Sequence, residues 1–272
     1  MDKYVLVTGG ASGIGRAITE YLAQNNYKVF CTDINLYKGE QNPNIIPLVM
    51  DVTSSKAIEA AKKEILKTTD TLHAIINNAG IFVMDSFVEI AEEKLQKIID
   101  INIMGMYRVN KIFLSMLKGG YSKIINISSE VAQYSSAPFS GPYTLSKYGV
   151  EAYTDALRRE LLILDIPVIK IRPGSLKTNM LGDVNKNYDE LIKNTQYFKG
   201  ALANMNSMMA NELNKTNDPV LLAQLVQKIL ESNKPKMLYR VVNSKQLKMM
   251  SMFPEKTQDK IYKKILSPKT KK

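Results

Sequence analysis

Three observations predict an α/β fold built on a doubly wound parallel sheet with helices on both faces. Apolar strand-like runs alternate with amphipathic helical stretches along nearly the whole chain. The early runs are continuous in Val, Ile and Leu, the pattern of strands covered on both faces rather than on one. The first run leads directly into a glycine-rich turn that opens a helix, Thr8-Gly9-Gly10-Ala11-Ser12-Gly13-Ile14-Gly15.

In chain order, the apolar runs predict strands at 4–8, 28–32, 45–50, 73–77, 123–127 and 167–171, with a late one at 237–242. Ile14, Ala17, Ile18, Tyr21 and Leu22 recur at helical spacing between the first two strands. Ile58, Ala61, Ile65 and Leu66 mark a second helix, and Leu95, Ile98, Ile99, Asn102 and Met106 a long third. A fourth runs from Tyr143 to about Leu164 and ends before Pro167. Another starts near Asp218. Residues 1–272 read as one domain, with an irregular, variable substrate loop at about 179–215. Its Met205, Met208 and Met209 suit an adaptable apolar pocket, a buried helix or an oligomer contact.

Composition narrows the class. A 272-residue chain that is 45% hydrophobic has enough apolar material for a sizeable core. One cysteine, Cys31, permits no intrachain disulfide and fits a reducing, cytoplasmic setting. One cysteine with one histidine, His73, argues against a zinc site, so no metal is expected. Cys31 is expected in a core strand and His73 near the surface at a strand start. No apolar run is long enough to span a membrane, and the chain enters a strand at once, with no secretory pattern. The net charge of +11, much of it in the last forty residues ending Lys269-Thr270-Lys271-Lys272, reads as a solvated lysine-rich surface, with attraction to anionic membranes or nucleic acid as the alternative. No nucleic-acid motif accompanies it, so no nucleic-acid partner is expected.

The glycine turn carries the first chemistry. Glycines allow a tight turn and let the backbone approach a pyrophosphate at the positive end of a helix. Its spacing is Gly-x-x-x-Gly-x-Gly, and its candidate contacts are Gly9, Ser12, Gly13, Ile14 and Gly15. The second strand ends at Asp33, placed to accept hydrogen bonds from an adenosine ribose and to repel a 2′-phosphate. Ile34 follows with no charge, so NAD is favoured, with NADP as the alternative; Arg16 softens the preference. Asp51 and Val52 end the third strand as an adenine clamp, or Asp51 caps a helix. After the fourth strand, Asn78, Ala79 and Gly80 are small enough to let the cofactor pass.

The strand Ile124-Ile125-Asn126-Ile127 ends in Ser128 and Ser129, and Tyr143 and Lys147 follow one helical turn apart. An ammonium near a phenol favours the phenolate, which brings the tyrosine toward a pKa useful for proton exchange. Alone, such a pair is most often an ordinary helix start.

Taken together, Thr8–Gly15, Asn77–Gly80, Asn102, Ser129, Tyr143 with Lys147, and Pro173-Gly174 resemble the single-domain branch of the short-chain dehydrogenases/reductases, built on the Rossmann fold. The resemblance covers about residues 3–180 and implies roles residue by residue. Tyr143 is the general acid/base; Lys147 lowers its pKa and binds the nicotinamide ribose; Ser129 bonds the substrate oxygen. Asn102 anchors a water that links Lys147 to solvent, or is a structural polar residue. Pro173, Gly174, Leu176 and Thr178 lie by the nicotinamide. Ser129 stands fourteen residues before Tyr143, so the loop 130–142 carries an insertion; alternation puts Ser128 and Ser129 on opposite faces, and Ser129 is preferred as the second serine after the strand, with Ser128 the alternative. The stretch 148–161 and the tail resemble retinol and hydroxysteroid dehydrogenases, which implies a lipophilic secondary alcohol or ketone. Family members commonly form homodimers or homotetramers. The alternative is a non-catalytic dinucleotide-sensing regulatory protein on the same fold.

Overall fold

The computed structural model describes residues 2–39, 41–177, 188–205 and 216–267. Among them, seven strands form one sheet: β1 (Lys3–Thr8), β2 (Tyr27–Asp33), β3 (Ile45–Val49), β4 (Ala74–Asn77), β5 (Lys123–Ile127), β6 (Val168–Pro173) and β7 (Leu238–Val241). Their order is β3-β2-β1-β4-β5-β6-β7, and every neighbouring pair is parallel. Each predicted strand is present, with ends shifted by a residue or two.

Alternation along the strands builds two cores. Val5 and Val7 of β1 pack with Ile18 and Leu22 of α1 (Gly13–Gln24) and with Val226 and Ile229 of α8 (Val220–Glu231). Leu6, between them, points to the other face, with Ile58 and Ile65 of α2 (Ser55–Leu66) and Val109 and Phe113 of α4 (Gly105–Phe113). Burying apolar side chains on both faces stabilises at roughly 25 cal/mol per Å² removed from water. It also explains why the strands lack a polar side.

The third predicted helix is broken in register. α3 (Glu92–Ile99) passes into a π-helical turn, Asp100–Met104, before α4. Apolar spacing does not reveal one inserted residue, whereas a polar anchor does: Asn102 is buried within the π turn. α5 starts at Gly141, two residues ahead of Tyr143, with Pro142 in its first turn, where a missing N–H costs nothing. It ends at Glu160 and tightens into a 3₁₀ turn, Leu161–Leu164, closed by Asp165 at φ 52°. Short polar side chains tolerate that left-handed conformation.

Two expectations need correction. His73 is buried, 5% exposed, against Tyr27 and Tyr121 rather than at the surface. The described part of 179–215 is not irregular: residues 188–194 (α6) and 199–205 (α7) are helical. Tyr188, Leu191 and Ile192, then Phe198, Leu202 and Met205, recur at helical spacing and pack together. Met205 is thus part of a buried helix, while Met208 and Met209 lie outside the described residues. The remaining helices are α9 (Lys245–Met250) and α10 (Glu255–Leu266). No helix among the described residues is long and apolar enough to cross a membrane.

Crossovers leave β1 and β4 toward opposite sides of the sheet, so a cleft opens beyond their carboxyl ends, the usual place for a ligand in such sheets. The sequence motifs converge there.

Candidate active site

The glycine loop is built around close approaches. Gly9 has φ +64°, and a Cβ there would lie 2.9 Å from the Ala79 Cα. A Cβ on Gly15 would overlap the Gly9 carbonyl oxygen, so only glycine lets α1 start this close to β1. Thr8 Oγ1 accepts from the Asn78 and Ala79 backbone N–H groups at 3.0 and 3.1 Å. Asn78 Nδ2 donates to the Thr8 and Gly9 carbonyls, each at 3.2 Å. Asn78 and Ala79 therefore brace the loop from behind. Ser12 is the exposed N-cap of α1, its side chain makes no cap bond, and the first turn carries no acidic residue. Free N–H groups at a positive helix end, behind glycines with no Cβ, suit a pyrophosphate.

Asp33 ends β2 beside this loop. Its Oδ2 accepts from the Ala11 N–H at 3.2 Å and its Oδ1 from the Asn35 N–H at 3.1 Å. Arg16 is turned to Glu20, with Nε donating to Oε1 at 2.7 Å. Asp51 caps no helix: it accepts from the N–H and hydroxyl of Thr53, both at 2.8 Å, while Ser54 caps α2. Val52 is buried next to Gly105. Gly174 follows β6 with its N–H on the Val241 carbonyl at 2.9 Å, and Leu176 is buried. Thr178 lies outside the described residues.

On the other side of the cleft, α5 carries Tyr143 and Lys147 on one face. The Lys147 ammonium stands 5.7 Å from the centre of the Tyr143 ring and donates to the Ile127 carbonyl at 3.1 Å. Phe82 packs on the tyrosine ring at 4.9 Å. Burial pushes the Tyr143 phenol up to about 12, and the Ser129 hydroxyl beside it only partly offsets this. Burial likewise brings Lys147 down to about 8, against the pull of Glu151. Burial thus raises the phenol here, where the spacing to Lys147 taken alone predicts a lowering.

The two serines part as strand alternation requires. Ser129 faces Tyr143, and its Oγ accepts from the Val131 N–H at 3.4 Å as it caps the 3₁₀ turn Glu130–Gln133. Ser128 faces Glu151 instead. Asn102 holds the wall of the cleft. Its Oδ1 accepts from the Ile81 N–H at 2.8 Å, and its Nδ2 donates to the Ile81 carbonyl at 3.0 Å and to Ser146 Oγ at 2.9 Å. Both donors are engaged, so a water held by Asn102 has to sit on an oxygen.

Polar networks that motif reading passed over lie underneath. Arg172 of β6 bonds both carboxylate oxygens of Glu151, at 3.0 and 2.9 Å, and Lys170 reaches Glu151 at 2.8 Å. Burial alone would raise the Glu151 carboxyl, but these cations hold it below the usual carboxylate value. Arg172 also donates to Gln133 Oε1 at 3.0 Å, which ties the Ser129 turn to the same cluster. A second network joins Asn77 to Asn110 at 2.8 Å and to Asn126 at 2.9 Å, and so links β4, α4 and β5 below the cleft. The signal was available: an asparagine inside an Ile-Ile-Asn-Ile strand covered on both faces needs partners.

A cavity of about 800 Å³ opens nearby between the 135–138 loop, α7 and α10, lined by Pro138, Phe198, Tyr262 and Leu266 among others. Neither Tyr143 nor Ser129 lines it. Phe198 and Leu266 of its lining belong to an apolar cluster that includes Phe82, which packs on the Tyr143 ring.

A tight glycine turn at the switch point of a parallel sheet, with a tyrosine–lysine pair on α5, is an arrangement suited to a dinucleotide-dependent oxidoreductase. The family described as short chain dehydrogenase matches residues 3–189. The chain belongs to this family of NAD(P)-dependent oxidoreductases acting on CH–OH groups. It is 32% identical, over 98% of its length and 99% of the relative's, to an NADPH-dependent 3-dehydrocapnine reductase of Ornithobacterium rhinotracheale. It is 32% identical over 70% of its length to retinol dehydrogenase 7 of Mus musculus, and the match spans 60% of that enzyme. A solved short-chain dehydrogenase from Streptomyces avermitilis shares the fold, with a TM-score of 0.75 at 22% identity over 97% of both chains.

Proposed function

We propose that this protein reduces a lipophilic ketone to its secondary alcohol, and runs the reverse oxidation at higher pH, with Tyr143 as the proton donor and acceptor. The observation that carries the reading is the triangle of Tyr143, Lys147 and Ser129 facing the glycine cradle across one cleft. A nicotinamide dinucleotide bound in the cradle supplies or accepts the hydride. Gly9, Gly13, Gly15, Ser12 and Ile14 would hold its pyrophosphate at the start of α1. Asp33, Asp51 and Val52 would hold the adenosine, and Asn78 to Gly80 would flank its path. Pro173, Gly174 and Leu176 would border the nicotinamide.

Ser129 donates a hydrogen bond to the substrate carbonyl oxygen and fixes it against Tyr143. A phenol held near 12 keeps its proton at neutral pH, the form that reduction consumes. As the alkoxide forms, the phenol proton moves to it, and the Lys147 ammonium stabilises the phenolate left behind. Oxidation needs the deprotonated tyrosine, so its rate rises with pH. Asn102 positions Ser146 and the 80–81 backbone, and an oxygen of Asn102 carries the water that returns a proton through Lys147.

Asp33 favours NAD, because its carboxylate meets a ribose hydroxyl well and a 2′-phosphate badly. Arg16 is drawn to Glu20, which weakens its call on a phosphate. The NADPH-dependent relative makes this preference the point to measure first. A single buried cysteine suits a reducing, cytoplasmic compartment. Pairing into a homodimer or homotetramer through α3–α4 and α5 has support in exposed Met104, Tyr107, Leu145 and Tyr148.

Oxidation of NADH and of NADPH, followed across a panel of short and long ketones, tests the whole reading. The expected result is turnover of ketones with NADH ahead of NADPH. Tight NADH binding with no ketone consumed would favour the regulatory alternative.

A further inference from the structure

We infer that the corner between α9 and α10 is a docking surface for an anionic lipid bilayer. Three large apolar side chains stand in water there: Met249, Met252 and Phe253, at 59%, 78% and 43% exposure. They lie within one turn, closed by the Met252 N–H on the Met249 carbonyl and the Phe253 N–H on the Met250 carbonyl, each at 3.1 Å. Single exposed methionines need no explanation, but a cluster rimmed by charge marks a contact surface.

The rim is cationic. Lys245 and Lys248 precede Met249 and Met252 by four residues each, and Lys256 and Lys260 follow Phe253 along α10. All four are exposed. Lys264 extends the charge, while acidic residues on α10 are limited to Glu255 and Asp259. Apolar side chains that enter the acyl boundary, flanked by lysines whose ammoniums reach anionic headgroups, are the physical pattern of an interfacial anchor. Nucleic acid fits less well: the patch offers one aromatic ring for stacking, and its methionines gain nothing from phosphate.

The position has a consequence. The opposite face of α10, through Gln258, Tyr262 and Leu266, lines the cavity of about 800 Å³. Bilayer contact and cavity are therefore two sides of one helix. The docking itself does not depend on the hydride-transfer reading.

The test uses the full chain and sedimentation with vesicles of equimolar phosphatidylcholine and phosphatidylglycerol, against phosphatidylcholine alone. Binding to the anionic vesicles, lost at high salt, is expected. Each lysine near such a surface contributes about fivefold, so K245Q/K248Q/K256Q weakens binding on the order of 100-fold. Met252→Asp weakens it at constant charge on the lysines. Both variants keep wild-type circular dichroism and NADH binding, which separates lost docking from lost folding. No sedimentation of the wild type, equal sedimentation with neutral vesicles, or variants that bind like wild type would overturn the inference. Tighter retention on single-stranded RNA than on the vesicles would overturn it too, in favour of a nucleic-acid surface.

Discussion

Arg172 on β6 grips Glu151 on α5 through two parallel hydrogen bonds, Nε to Oε1 at 3.0 Å and Nη2 to Oε2 at 2.9 Å. The pair joins the helix that carries Tyr143 and Lys147 to the strand that leads into Pro173-Gly174. Through Gln133, the same guanidinium holds the turn that begins at Ser129. The loop 130–142 is long, so the serine cannot rely on a short tether to α5. The ion pair supplies a second one.

Glu151→Ala leaves the half-buried Arg172 without its carboxylate and Lys170 with Asp155 alone, at 2.8 Å. Loss of one partner of a buried pair costs about 3–5 kcal/mol. Chemical denaturation of the variant should show a loss of that order, and its ketone turnover should fall more than its affinity for NADH. A variant as stable as wild type would mean that the cluster is hydrated rather than dry.

Gly15→Ala drives a methyl group into the Gly9 carbonyl and against Asn78 Nδ2. The loop has to open to admit it. Dinucleotide binding, followed by NADH fluorescence, should weaken by at least tenfold, with a fall in melting temperature. Unchanged binding would show that the pyrophosphate sits elsewhere.

Asp33→Ala removes the carboxylate proposed to meet the ribose and also releases the Ala11 N–H. The ratio of kcat/KM for NADH over NADPH should fall by roughly tenfold, about 1.4 kcal/mol. Equal ratios in variant and wild type would remove Asp33 from cofactor choice.

His73 sets an acid limit on stability. Burial, with help from Lys123 and Lys3, lowers its pKa from 6.5 to about 4, partly offset by Leu230. The unfolded chain binds this proton more readily, so stability rises with pH between about 4 and 6.5 and is lost as pH falls through that window. The effect is about 3 kcal/mol at full extent. Melting curves of His73→Phe should flatten over this range relative to wild type. A parallel slope in both proteins would place the titration elsewhere.

The sheet was legible because each strand is a run that only a two-sided core explains, as in Ile124 to Ile127. The tight glycine turn was legible because Gly9 and Gly15 obey a steric rule that survives without coordinates. Several features were not. Spacing alone cannot show the π turn at Asn102, since one inserted residue leaves the apolar stripe intact on both sides. His73 looked peripheral because its burial comes from Tyr121, far along the chain. Alternation separates Ser128 from Ser129, but the partner that Ser128 faces, Glu151, lies on another element. The tyrosine pKa went the other way because desolvation is a property of the whole pocket, not of the four-residue spacing to Lys147.

The most direct test is the rate of NADH oxidation with a long-chain ketone by wild-type protein and by Tyr143→Phe, with NADH affinity measured in parallel. Loss of the proton donor should lower kcat by about 10²–10⁴-fold while NADH affinity stays within about twofold. A Tyr143→Phe protein that reduces the ketone at the wild-type rate would contradict the assignment of Tyr143 as the acid.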